Sequence, residues 1–128
     1  MKRFLLDTHV ILWWLTDDPR IGPTTRKALA NSKNSAFVSS ASIWEMSIKA
    51  SLGKLTIPSD ILQIIDEDGF ESLPVSAFHA LQAGQLAPIH KDPFDRMLIA
   101  QAQAEGLELI TADSMIEKYG IKTLNPNN

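Results

Sequence analysis

The chain contains no cysteine, which excludes a disulfide framework and a thiolate metal site. No apolar run reaches the roughly 18–20 residues a membrane span needs. The opening "MKRFLLDTHVILWWL" imitates a secretory signal, with Lys2 and Arg3 ahead of apolar residues. Asp7 and His9 interrupt that run, and no small-residue cleavage site follows. There is no excess of positive charge either. Lys and Arg number 12 against 15 Asp and Glu, a net charge of −3, whereas nucleic-acid binders usually carry a basic surface. Histidine pairs at metal-ligand spacing are missing too, so zinc is a poor candidate. No repeat, low-complexity tract or linker divides the sequence. What is there is ordinary for a globular protein: 128 residues, 45% hydrophobic and 21% charged. The reading is one domain, residues 1–128, in a cytoplasmic chain with no membrane association.

Apolar runs and helical periodicities alternate along the chain. "RFLLD" reads as a buried strand and "THVILWWL" as a helix ending at the turn-like "TDDPRIGP". A helix over "TTRKALANS" precedes a second strand, "AFVSS". "SASIWEMSIKASLGK" follows as a helix, with Ser42 and Glu45 spaced as a capping box and Gly53 as its stop. A helix from Ser59 to Gly69, the strand "FESLPV" and a helix over "SAFHALQAG" come next. "DPFDRMLIAQAQAEG" is the clearest helix, with Asp92 as N-cap, Pro93 at the first position and Gly106 closing it. "LELITA", a short helix over "SMIEKYG" and "IKTL" complete the chain. Such alternation predicts an α/β fold with a parallel sheet covered on both faces. Ligands of these sheets bind beyond the C-terminal ends of the strands.

The acids fit that rule. Asp7 ends the first strand, Asp113 follows "LELIT", Glu45 lies in the first turn after "AFVSS", and Asp95 in the first turn after "IHKDP". Capping and the helix dipole explain Asp95 taken alone. They give no reason for Asp7 at the end of an apolar strand. If all four converge, two like charges about 4 Å apart repel by roughly 4 kcal/mol at an effective dielectric near 20. A counter-charge or raised pKa values must then be present. Mg²⁺ meets that need with a few carboxylates, waters and substrate phosphate oxygens, and Mn²⁺ substitutes for it. Two such ions, about +4 against −3, would also reverse the charge that discourages nucleic acid. An all-carboxylate site of this kind is chemistry for phosphodiester hydrolysis.

"FLLDTHVILWWL", "SSASIWEMSIKASLGKL", "DPFDRMLIAQA" and "LITAD" together resemble the PIN-domain proteins of the VapC toxin group, in order and over nearly the whole chain. The resemblance implies a three-layer α/β/α sandwich with a central, mainly parallel sheet. It implies a Mg²⁺- or Mn²⁺-dependent endoribonuclease, the toxin of a type II toxin–antitoxin pair, inhibited by a small antitoxin encoded beside it. A homodimer or a toxin–antitoxin hetero-oligomer follows from the same resemblance. The family's catalytic, metal-holding acids fall on Asp7, Glu45, Asp95 and Asp113, and His9 stands where the family often has Asn. Two rival readings are a phospho-acceptor signalling module and an inactive PIN-like interaction domain. The first wants paired acids after the first strand and a lone Asp after a central one, whereas Asp7 stands alone and no Asp ends "AFVSS".

Supporting positions have two readings each. Thr8 is an N-cap or a partner of a metal-bound water or phosphate. Lys49, four residues after Glu45, is a surface ion pair or a phosphate contact. Asp92 is an N-cap that also suits support of the site, and Arg96 is a solvated charge or an RNA backbone contact. Trp13, Trp14 and Trp44 read as core residues, with whichever is exposed marking a docking groove for the antitoxin. His79 and His90 have no local partner and read as structural.

Overall fold

The structure, a computed structural model, describes residues 1–128. Its elements in chain order are β1 (Arg3–Leu6), α1 (Thr8–Leu15), α2 (Pro23–Ala30), β2 (Ser35–Ser39), α3 (Ser40–Ser51) and α4 (Ile61–Glu67). They continue with β3 (Glu71–Leu73), α5 (Ala77–Gln85), α6 (Pro93–Glu105), β4 (Glu108–Ile110), α7 (Ser114–Glu117) and β5 (Thr123–Leu124). The five strands form one sheet in the order β3-β2-β1-β4-β5, and every pairing is parallel.

Successive side chains of each strand go to opposite faces, and both faces are apolar. Phe4 and Leu6 of β1, Ala36 and Val38 of β2 and Ile110 of β4 pack with Val10 and Ile11 of α1, Met46 of α3 and Ile61 and Ile65 of α4. Leu5, Leu109 and Leu73 face the other way, onto Leu98, Ile99 and Ala102 of α6 and Ile116 of α7. This is the expected three-layer sandwich, with a sheet that is wholly rather than mainly parallel. Each fully buried Leu or Ile contributes roughly 1.5–3 kcal/mol. No helix is long and apolar enough to cross a membrane.

Local chemistry sets the boundaries. On α6 the Asp92 side chain accepts from the N–H groups of Phe94 and Asp95, Pro93 follows, and Gly106 ends the helix at φ 66°. The expected box at the start of α3 does not form: Ser39 caps that helix by accepting from the Ala41 N–H. Ser42 and Glu45 turn inward instead and are buried. The helix expected from Ser59 is shorter, with Asp60 as its N-cap residue.

After β3 the chain returns to the far side of β1, so β1 and β4 lie side by side although they begin and end the central part of the chain. At that switch point the following loops diverge and leave a crevice at the strands' C-terminal ends. Asp7 is the residue after β1, and Asp113 is the third residue after β4.

Candidate active site

Asp7 is held from both sides. Its Oδ1 accepts the His9 backbone N–H at 3.1 Å, and its Oδ2 accepts the Thr111 hydroxyl at 2.6 Å. Thr111 also accepts the Asp113 N–H at 3.1 Å, so one buried hydroxyl joins the acid after β1 to the acid after β4. Burial pushes the Asp7 carboxyl up. The His9 ring, the Thr111 hydroxyl and the His9 N–H outweigh it, leaving Asp7 below its ordinary value.

Asp7, Asp95 and Asp113 line one cleft of about 370 Å³, with His9, Val10, Trp13, Arg20 and Ala112. Glu45, only 7% exposed, is fixed beside it. The Thr8 hydroxyl donates to Glu45 Oε1 at 2.8 Å and lies 3.0 Å from the Ser42 hydroxyl, while Lys49 Nζ is 2.9 Å from Oε2. Thr8 is therefore neither the N-cap of α1, a role taken by Asp7, nor a free group. It orients Glu45. Lys49 makes the expected ion pair, and Glu45 raises its pKa.

Asp95 shows what the convergence costs. Burial, then the charges of Asp7 and Asp92, and more weakly that of Glu45, push its carboxyl up to about 7, although His90 opposes them. Nor does Asp95 close a capping box, because the Asp92 N–H donates to His90 Nδ1 at 3.1 Å instead. Asp92 is the cap; Asp95 is free to face the cleft.

His90 is the group that sequence reasoning missed. Its Nε2 lies 2.7 Å from Asp113 Oδ2 and 3.2 Å from Asp95 Oδ2. The three side chains come close enough to surround a small cation. The hydrogen bonds oppose counting the imidazole among the ligands. Nδ1 is an acceptor for Asp92, so the proton resides on Nε2, and a protonated nitrogen has no lone pair for a metal. His90 donates to Asp113 and lies within ion-pair distance of Asp95, which sets the two carboxylates beside each other. "HKDP" places it two residues before the cap, and that spacing is the local signal for the Nδ1 contact.

Arg96 is corrected as well. It is neither solvated nor presented to a ligand, because its guanidinium donates to the carbonyls of Ala83, Leu86, Ala87 and His90 at 2.9–3.1 Å. It closes off the unpaired carbonyls at the end of α5 and anchors the loop carrying His90. The Tyr119 hydroxyl adds a second anchor, 2.7 Å from the His90 N–H and from the Ala87 carbonyl.

Trp13 and Trp14 are half-buried and pack against the core, as expected, while Trp44 does not. Trp14 packs edge-on against Phe70 and donates to Asp68 Oδ2. Trp13, half-buried, stands in the acid cleft. Trp44 is not core: it is 63% exposed, because the inward face of α3 is taken by Ala41, Ser42, Glu45 and Met46. His79 is structural as expected, completing the capping box of α5 with Ser76.

The sequence matches the family model of the PIN domain over residues 4–122. The chain belongs to the PIN-domain family. Solved structures share the fold at low identity. VapBC2 from Rickettsia felis, bound to a promoter DNA fragment, superposes with a TM-score of 0.72 at 17% identity, covering 96% of this chain and 98% of that one. DNA-bound VapBC from Salmonella typhimurium gives 0.69 at 22%, covering 97% and 98%. FitAcB from Neisseria gonorrhoeae gives 0.56 at 16%, covering 96% and 97%. No curated protein sequence matches the chain. The switch-point crevice of this PIN domain, with acids delivered by four separate segments, is its candidate active site.

Proposed function

We propose that this PIN domain is a divalent-cation-dependent endoribonuclease and the toxin of a toxin–antitoxin pair, acting in the cytoplasm. The observation that carries the reading is the convergence of Asp7, Asp95 and Asp113 in one cleft with Glu45 fixed beside it; the crowding shows in Asp95, pushed up to about 7 by burial and by three neighbouring acids. A site that strains its own ionisation is built for a counter-charge. The donor set is all oxygen, since His90 Nε2 carries a proton, and oxygen donors select hard cations such as Mg²⁺ or Mn²⁺ over zinc. Asp7, Glu45, Asp95 and Asp113 would hold the metal. When bound, the cation lowers the pKa of an attacking water and neutralises charge developing on the phosphodiester.

The remaining work falls to the chain itself. Thr111 and the His9 N–H hold Asp7, Thr8 and Lys49 hold Glu45, and His90 aligns Asp95 with Asp113. With each carboxylate oriented before the cation arrives, little reorganisation accompanies loading. Fold likeness to the VapBC and FitAcB complexes supports the toxin role. The proposed seat of the antitoxin is the apolar cleft of about 500 Å³ that Trp44 forms with Val75, Phe94 and Met97.

The test is cleavage of single-stranded RNA by purified protein with Mg²⁺, with Mn²⁺ and in excess EDTA. Cleavage should require either cation and stop with chelator. Undiminished cleavage in EDTA overturns the metal mechanism. Absence of cleavage under every condition by folded protein overturns the nuclease assignment.

A further inference from the structure

We infer that Arg20, backed by Trp13 and held by Asp18, is a phosphate clamp for the RNA strand at the edge of the acid cleft, an assignment that rests on the nuclease reading above. Arg20 is the one lysine or arginine among the residues lining the cleft with Asp7, Asp95 and Asp113. Its side chain is 61% exposed and yet fixed on two sides. Nε donates to Asp18 Oδ1 at 3.0 Å and Nη2 to Oδ2 at 2.7 Å, while the guanidinium lies 4.6 Å from the centroid of the Trp13 ring.

A turn staple does not account for this. Asp18 Oδ1 also accepts the Arg20 backbone N–H at 2.9 Å, but that bond closes the turn without needing the side chain. Arg26 already holds the turn after α1, donating to Asp17 Oδ1 and to the Asp18 and Ile21 carbonyls. Arg96 likewise spends its donors on four carbonyls. Arg20 uses two of its five guanidinium N–H groups on Asp18, so both hydrogens of Nη1 and one of Nη2 remain without a partner. An exposed ion pair alone stabilises little. A guanidinium fixed by a carboxylate fork and an aromatic face, with a donor edge left open, loses little freedom when a phosphate arrives.

The site has a need for such a group. A row of carboxylates repels a polynucleotide, and a fixed cation at its edge offsets that repulsion where the strand enters. Indole backing on one side of the guanidinium excludes water and strengthens its hold on an anion. The chemistry recognised is a backbone phosphodiester next to the one cleaved, in any sequence, because no base edge is read.

The experiment compares the full chain with Arg20→Gln and Arg20→Lys in Mg²⁺, measuring kcat and KM on a single-stranded RNA oligonucleotide across a salt series. Arg20→Gln should raise KM about tenfold and leave kcat within about twofold. Its log KM should depend less steeply on log salt, by about 0.7 for one lost phosphate contact. Arg20→Lys should restore the slope and recover part of KM. The increase in melting temperature with Mg²⁺ should match the parent in both variants, because Arg20 touches none of the four acids. Parent KM and slope in Arg20→Gln overturn the clamp while the nuclease reading stands. So does a kcat loss at unchanged KM, or a defect confined to antitoxin binding. A folded parent that cleaves no RNA overturns the nuclease reading and the clamp together.

Discussion

Asp95→Asn keeps the size of the side chain and removes one negative charge from a crowded cleft. Burial and the neighbouring acids raise this carboxyl from 3.8 to about 7. That rise corresponds to about 4 kcal/mol, at roughly 1.4 kcal/mol for each tenfold change in proton affinity. The side chain is 22% exposed, and solvent screening reduces the figure to about 2 kcal/mol. Loss of an acid from the first turn of α6 costs roughly 0.3–1 kcal/mol. The metal-free variant should therefore be more stable than the parent by about 1 kcal/mol above pH 7, or about 3–6 °C in melting temperature. The sign follows from linkage. A carboxyl with a raised folded pKa binds more protons in the native state, so the parent loses stability as pH rises from about 4 to about 7. Differential scanning calorimetry from pH 4 to 8 should show the variant's advantage growing over that window and vanishing at its lower end. RNA cleavage should fall by on the order of 10²-fold or more, and Mg²⁺ should lose most of its effect on melting. Asp92→Asn is the control for activity: Asn caps helices about as well as Asp, so cleavage and the Mg²⁺ effect on melting should persist, while the lost Asp92 charge relieves only its own part of the repulsion on Asp95. A constant stability difference across pH, or cleavage at the parent rate, would refute the reasoning.

His90→Ala removes the donor to Asp113 and the imidazole beside Asp95, and leaves the Asp92 N–H without its acceptor. Mn²⁺ affinity by calorimetric titration should drop about 10–100-fold, and an unchanged affinity would show that the imidazole does not align the acids. Arg96→Lys cannot reproduce four donations to carbonyls. Urea unfolding should show a loss of about 2–3 kcal/mol, with weakened Mn²⁺ binding because the His90 loop loses its anchor; parent stability would contradict the anchoring role.

Elements built from local chemistry were legible in the sequence. Asp92, Pro93 and Gly106 mark the ends of α6 through a cap, a preset φ and a left-handed stop, all decided within a few residues. The apolar runs of β1, β2 and β4 announced a sheet buried on both faces, and Asp7 was anomalous because an apolar strand has no local use for a carboxylate. Four acids were thus legible one by one.

What each of those acids touches was settled only by tertiary packing. Ser42 and Glu45 have capping-box spacing, yet Ser39 caps α3, because the inward face of that helix carries Ser42 and Glu45 to Thr8, 34 and 37 residues away in the chain. His90 looked isolated because its partners are Asp113, 23 residues on, and an Asp95 that the expected cap had seemed to occupy. Arg96 has the charge of a surface residue, but the carbonyls it satisfies belong to the end of α5 and the loop beyond it. Trp44 differs from a core tryptophan only by about 100° of helix rotation from Glu45. Local sequence specifies which backbone conformation each segment prefers. The partner of a polar side chain depends on which strands become neighbours, and here that was decided when β4 returned to pair with β1 and brought Thr111 to Asp7.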